Sequence, residues 1–175
     1  MSRNREDLHP IIRPYLERLE AAARDRFGIA LDLIETWRDA AGQNAAKAAG
    51  ASNKAAGKSW HNLTLPDGTP ASLAFHVDPF PGPPVLGHGP KLLEWPGAVR
   101  IGVEMKPARL RPCAAPILIL TAIGLLGEEL GLTWGGRWDQ PQDYLHFELR
   151  IGTLSQVQAA MRLHGGDLSA LARSA

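Results

Sequence analysis

The sequence predicts one α+β domain, in which a small sheet packs against helices. Its 175 residues, 45% of them hydrophobic and 21% charged, are enough for one hydrophobic core but too few for two comfortable domains. Stretches with the three-and-four apolar spacing of a helix are interspersed with short extended runs and with turns rich in proline and glycine. We expect residues 1–150 to form the main body of the domain and residues 151–175 to be a helical extension of it.

The first predicted helix covers residues 8–27, and Gly28 provides its stop. Pro66-Asp67-Gly68 is a strong turn signal, which should fold a strand over 71–77 back beside the segment that carries His61. The other predicted elements are strands over 29–37 and 99–105, helices over 40–49, 117–130 and 153–163, loops over 50–58 and 79–90, and a last short helix.

Composition and charge exclude several classes of protein. The formal net charge is +1 and no dense Lys/Arg run occurs, so we expect no nucleic-acid partner. The single cysteine, Cys113, excludes an internal disulfide framework and a cysteine-rich zinc site. The longest apolar run, 114–126, is shorter than the roughly 20 residues that span a bilayer. The first residues do not form a secretory signal, so we expect synthesis in the cytoplasm.

Acidic and imidazole side chains come together in a short extended run near the C-terminus. Asp143 precedes His146 by three residues, and His146 and Glu148 share a face if this run is a strand. Upstream, His61 and the neighbouring strand over 71–77, with its end, add further histidine and carboxylate groups. Histidine and carboxylate are both ligand types of zinc, so the pattern indicates a metal site.

Arg38 and the tryptophans near these segments are open to more than one interpretation. Arg38 is either a solvated or salt-bridged arginine or a bidentate clamp for a substrate carboxylate. Trp60, Trp134 and Trp138 are expected to pack and to shape turns rather than to stack on a substrate.

Four motifs of this chain form a set. They are Ser59-Trp60-His61-Asn62, Ser72-Leu73-Ala74, Trp134-Gly135-Gly136-Arg137-Trp138 and Asp143-Tyr144-Leu145-His146-Phe147-Glu148. Taken jointly, they resemble the pattern SxHN, [GS]xAxD, WGGxW and DxxHFE of the zinc peptidases of peptidoglycan. These are the D-alanyl-D-alanine carboxypeptidases and the L-alanyl-D-glutamate endopeptidases, the latter common as phage endolysins. Trp37-Arg38 with Gln43, Gly50 and Ser52 resembles the YRS…Q…GxS segment of the family.

The resemblance implies a fold and a set of roles. The fold would be of the hedgehog/D-Ala-D-Ala peptidase type, with a small antiparallel sheet that carries the zinc site in a catalytic domain over 1–150. His61 and His146 match zinc ligands, and Asp143 matches the general base that takes a proton from the zinc-activated water. Arg38 and Ser59 match groups that bind substrate. Glu148 would orient a ligand histidine.

One position departs from the family pattern. His76 stands where the pattern has an aspartate ligand, and Asp78 follows two residues later. Both residues lie on the same face of the predicted strand, about 6.6 Å apart, so they cannot share one ligand position without a bulge. The third ligand is therefore either His76 or Asp78.

The function that the resemblance implies is a zinc peptidase with one Zn²⁺ per chain. Its partner would be the peptidoglycan stem peptide, cut at the L-alanyl-D-glutamate bond by an endolysin that reaches the wall after release of the holin type. We expect a monomer. The alternatives are a D-Ala-D-Ala carboxypeptidase and a non-catalytic peptidoglycan-binding module on the same fold.

Overall fold

The computed structural model describes residues 2–80, 114–139 and 142–174. The predicted strand over 99–105, most of the loop over 79–90 and Cys113 lie outside these residues. The described elements are the helices α1 (Arg13–Phe27), α2 (Ala40–Ala48), α3 (Ala114–Glu129), α4 (Leu154–Leu163) and α5 (Ser169–Ala172), and the strands β1 (Asp32–Glu35), β2 (Ala74–Asp78), β3 (Thr133–Trp134) and β4 (His146–Glu148). The predicted α+β class is confirmed.

Helix α1 begins five residues later than the sequence predicts. Pro14 occupies its first turn, where the missing N–H of a proline costs nothing. The preceding segment is extended at Leu8, which forms a bridge with Ser72. At the other end Gly28 has a left-handed φ of 67°, so the predicted glycine stop is confirmed.

The four described strands form an antiparallel sheet in the order β1-β2-β4-β3. Strand β1 is shorter than predicted because the backbone beyond it bonds to other segments. The N–H of Thr36 donates to Ser2 O at 2.8 Å and the N–H of Arg38 donates to His61 O at 3.0 Å. The chain after β1 is thereby tied to the turn that carries His61.

The sheet has one apolar and one polar face. In the register of β2 and β4, Phe75 pairs with Phe147 and His76 pairs with His146. Since directly opposed residues point to the same side of a sheet, the two phenylalanines lie on one face and the two histidines on the other. The phenylalanine rings stack with centroids 5.7 Å apart and are fully buried. The polar face is thus left for the site.

Helix α3 packs on the apolar face at two glycines. A Cβ on Gly124 would lie 2.1 Å from the Trp134 ring, and one on Gly127 would lie 2.3 Å from the Phe147 ring. Only glycine allows the helix to approach the sheet this closely. The C-terminal helices join the same core, because Val157, Met161 and Leu168 belong to the buried cluster that includes α1.

Helix α4 begins as the sequence predicts, with Thr153 as its N-cap and a capping box with Gln156. Within the described residues, no helix is both long enough and apolar enough to cross a membrane.

Candidate metal centre

Three histidines converge on the polar face of the sheet. His76 and His146 face each other across β2 and β4, and His61 comes from a 3₁₀ turn, Trp60–Asn62. One ring nitrogen from each lies within 4.8 Å of the others. His146 Nδ1 is 2.9 Å from His76 Nε2 and 3.3 Å from His61 Nε2.

Local backbone contacts hold His61 against the sheet. Ser59 is the N-cap of the 3₁₀ turn, and its hydroxyl accepts the His61 N–H at 3.3 Å. The ring is 2% exposed, and its Nδ1 lies 2.6 Å from the carbonyl oxygen of Thr36. The loop that the sequence predicts over 50–58 therefore delivers His61 to the end of β1.

Each of the three imidazoles has its outer nitrogen next to a hydrogen-bond acceptor. His61 Nδ1 faces Thr36 O, His76 Nδ1 lies 3.1 Å from Glu35 Oε2, and His146 Nε2 lies 2.9 Å from Glu148 Oε2. A carbonyl or a carboxylate only accepts, so the proton of each neutral imidazole belongs on its outer nitrogen. The inner nitrogens are therefore left as lone pairs.

Three lone pairs directed at one another are suited to hold a cation between them. A zinc ion with Zn–N bonds of about 2.0–2.1 Å in a tetrahedral arrangement sets its ligand nitrogens about 3.3 Å apart, which is close to the 2.9 and 3.3 Å between His146 Nδ1 and the other two nitrogens. Three histidines with hydrogen-bonded outer nitrogens are also the arrangement that metal sites use to fix ligand tautomers. The donor set fits a divalent metal ion with one position left open.

Burial keeps the imidazoles of His61 and His146 in the neutral form that binds metal. Loss of contact with water lowers the pKa of His146 to about 3, and the neighbouring His76 adds to this effect. Burial, reinforced by His76 and His146, also holds the pKa of His61 well below its ordinary value. Two histidines are thus available as ligands without first losing a proton.

The pKa values of the two buried carboxylates around the cluster, Glu35 and Glu148, shift in opposite directions. Burial opposes ionisation of Glu35, but hydrogen bonds from His76 and Arg38 outweigh it and hold the pKa of Glu35 far below its usual range. Burial raises the pKa of Glu148, and Arg150, 2.5 Å away, counteracts the rise. Glu35 is consequently an anion at neutral pH.

Asp143 lies beside the cluster. Its Oδ2 is 3.4 Å from His76 Nε2, and its side chain is 29% exposed. The backbone of Asp143 is fixed by Gly135, whose carbonyl oxygen accepts the Asp143 N–H at 3.1 Å. Trp138 also adjoins the cluster, with its ring centroid 4.7 Å from that of His146. The Asp143 carboxylate is more exposed than those of Glu35 and Glu148, which also contact these histidines.

Arg38, one of the predicted site residues, is hydrogen-bonded to other side chains inside the protein. Arg38 is 7% exposed, and its Nε and Nη2 donate to the two carboxylate oxygens of Glu35, both at 2.6 Å. Its Nη1 donates to Gln43 Oε1 at 3.1 Å, and Gln43 in turn donates to Ser52 at 3.0 Å. Of the two alternatives for Arg38, the structure shows the salt bridge, and Arg38, Gln43 and Ser52 of the YRS…Q…GxS-like segment form one connected network.

Asp78 does not join the cluster. It pairs with Asp32 at the outer end of β2, and its carboxylate accepts the Phe80 N–H at 2.8 Å. Of the two alternatives for the third ligand, His76 is the one that the structure places with His61 and His146.

Glu35 and Thr36 contact the cluster but were not among the predicted site residues. Both lie in the extended run over 29–37, which contains no motif and so resembles an ordinary strand. The signal in the sequence is a glutamate three residues before an arginine. Trp138, expected to pack, lies against a histidine of the cluster.

Comparison with known families gives one match. Residues 91–149, about a third of the 175 residues, match a family model described as D-alanyl-D-alanine carboxypeptidase. This range contains Asp143, His146 and Glu148, whereas His61 and His76 precede it. No curated protein matches the chain. Together with the histidine cluster, the match supports a metallopeptidase of this family without specifying its subtype.

Proposed function

We propose that this chain is a zinc-dependent peptidase that hydrolyses the stem peptides of peptidoglycan at the L-alanyl-D-glutamate bond, as an endolysin. The observation that carries the proposal is the convergence of three imidazole lone pairs beside a partly exposed carboxylate, Asp143. The family match supports a wall peptide as the substrate class, since its description names an enzyme of D-alanyl-D-alanine.

His61, His76 and His146 would hold one zinc ion per chain, through Nε2, Nε2 and Nδ1 in that order. The ion supplies Lewis acidity, which polarises a scissile carbonyl and lowers the pKa of a water molecule toward about 7. Thr36, Glu35 and Glu148 keep the three rings in the tautomer that binds metal. These three acceptors would orient the ligand rings toward the ion.

Asp143 is proposed as the general base and acid. Its Oδ2 lies 3.4 Å from His76 Nε2, so it could take a proton from an attacking water held at the cluster. It can then give that proton to the leaving amine, which completes hydrolysis of the peptide bond. A group that only bound peptidoglycan would have no need of a carboxylate here, and this disfavours the non-catalytic alternative.

Ser59 and Arg38 remain proposals as substrate contacts. The Ser59 hydroxyl caps the turn of His61, so it lies near the cluster in any case. The Arg38 guanidinium would have to loosen its buried ion pair with Glu35 before it could bind a substrate carboxylate.

A D-Ala-D-Ala carboxypeptidase is the second candidate, and the description of the matching family favours it. The two activities differ in the group next to the cleaved bond, a free terminal carboxylate in one and a glutamyl residue in the other. As an endolysin, the protein would be made in the cytoplasm and reach the wall through a holin-type pore. It would act as a monomer.

Three measurements test the proposal. Elemental analysis should find about one zinc per chain. If gently purified protein contained no metal, the proposed role of zinc would be refuted. Asp143→Asn should keep zinc while hydrolysis falls about 10²–10⁴-fold. Asp139→Asn, at an exposed aspartate four residues earlier in the sequence, serves as the matched control. Mass spectrometry of digested peptidoglycan identifies the bond from the new peptide ends. Intact stem peptides would leave only the binding-module alternative.

A further inference from the structure

Glu35 is held opposite His76 by an irregularity in the sheet. Strand β1 pairs Leu33 with Val77 and then Glu35 with His76, so one extra residue, Ile34, is inserted. Without it, Ile34 would lie opposite His76, and Glu35 would point to the other face of the sheet. A bulge of this kind redirects a side chain at the expense of regular pairing, and here it brings a carboxylate to the polar face.

The carboxylate of Glu35 then contacts two cationic or donor groups at once. Oε2 lies 3.1 Å from His76 Nδ1 and 2.6 Å from Arg38 Nη2, while Oε1 accepts from Arg38 Nε at 2.6 Å. Glu35 is 6% exposed and Arg38 is 7% exposed. Arg38 therefore fixes both oxygens of Glu35, and one of these oxygens is directed at the outer nitrogen of His76.

We propose that Glu35 is the positioning residue of His76, and that Arg38 acts on the site through Glu35. This rests on the proposed function, since it concerns the same histidine cluster. It explains how a histidine can serve where the family pattern has an aspartate. An imidazole needs an acceptor for its second nitrogen, and the bulged glutamate provides one.

The proposal predicts the protonation of His76. In the metal-free and the zinc-loaded protein, Nδ1 of His76 carries a proton and Nε2 faces the cluster. Long-range ¹H–¹⁵N correlation spectra with assigned histidine side chains read this directly on the unaltered protein. An unprotonated Nδ1 on His76 would overturn the proposal, whatever the protein hydrolyses and even if it binds no zinc.

Paired double variants separate the acceptor from the ion pair. Glu35→Leu/Arg38→Met and Glu35→Gln/Arg38→Met both remove the buried charges, but the glutamine still offers His76 a carbonyl oxygen. Zinc affinity, measured by competition with a chromophoric chelator, should fall about 10–100-fold in the leucine variant. The glutamine variant should retain most of the wild-type affinity. Equal affinities in the two folded variants would contradict the role.

Asp32→Asn is the matched single control, because Asp32 is an exposed carboxylate on the same strand. It should leave zinc affinity unchanged. If the wild-type protein binds zinc and His76→Ala loses it while the two double variants bind alike, this inference fails and the proposed function stands. If the wild-type protein binds no zinc, the zinc-dependent function fails and the spectra alone decide the role of Glu35.

Discussion

Replacement of Gly135 by alanine should slow hydrolysis by displacing Asp143. A Cβ on Gly135 would lie 2.5 Å from the Asp143 carbonyl oxygen and 3.0 Å from the His146 Cβ. The first distance falls about 0.9 Å short of the 3.4 Å at which ordinary contact begins, and its partner is backbone, which cannot rotate away. A misplacement of about 1 Å in a catalytic group costs about 100-fold in rate, or about 2.7 kcal/mol in the barrier.

The assay is kcat/KM on a synthetic stem peptide, together with zinc content and Tm. Gly136→Ala is the matched control, because its Cβ would meet the Trp134 ring at 2.2 Å and so strains the same turn without pressing on Asp143. We expect Gly135→Ala to lose more activity per folded, zinc-loaded molecule than Gly136→Ala. Wild-type turnover in folded Gly135→Ala would refute the reasoning, and equal losses in both variants would point to general destabilisation.

Three further outcomes are expected. His76→Ala should lose zinc in elemental analysis while Asp78→Ala keeps it, and the reverse result would make Asp78 the ligand. Zinc at 100 times its Kd should stabilise the fold by about 2.7 kcal/mol in urea unfolding, and no zinc-dependent shift would argue against a preformed site. Burial lowers the pKa of His9 below 6.5, with Arg13 adding to the effect and Asp167 opposing it. His9 therefore binds a proton more readily in the unfolded chain than in the folded one, so the free energy of unfolding should fall as the pH drops below about 6.5. Comparison with His9→Gln, which should lack this part of the loss, isolates it from the other histidines; equal pH profiles would exclude His9.

The sequence predicts the elements better than their ends. The apolar spacing locates α1, and Gly28 marks its end, but Pro14 delays its start in a way that periodicity does not reveal. Likewise only Asp32–Glu35 of the predicted strand over 29–37 forms a strand, β1. The backbone after Glu35 instead forms hydrogen bonds with the N-terminus and with the turn of His61. Such competition between partners distant in sequence cannot be seen in a local pattern.

In the candidate site, too, local features can be predicted from the sequence and long-range contacts cannot. The spacing in Asp143-x-x-His146-x-Glu148 is local. The strand geometry of β4 brings His146 and Glu148 to one face as predicted, whereas Asp143 precedes a turn and lies outside the strand. The choice between His76 and Asp78 depends on which strand residue opposes His146, and this register is a property of the assembled sheet. The role of Glu35 depends on a bulge opposite His76, for which the sequence carries no signal.

The charged side chains around the cluster form two similar series of contacts, each running from an arginine through a glutamate to a histidine. Arg38 pairs with Glu35, which faces His76, and Arg150 pairs with Glu148, which faces His146. Each outer carboxylate is therefore balanced by an arginine. His61 is held by the carbonyl of Thr36, which brings no net charge.

It follows that the three ligands and their supports leave the charge of a bound divalent ion uncancelled. An aspartate in place of His76 would offset one unit of that charge directly, whereas the carboxylate of Glu35 stands one ring further out and is neutralised by Arg38. Among the described residues, the other carboxylate beside the cluster is that of Asp143, whose Oδ2 lies 3.4 Å from His76 Nε2. Under the proposed function, the uncancelled positive charge of the ion would stabilise the negative charge that develops on a reacting carbonyl.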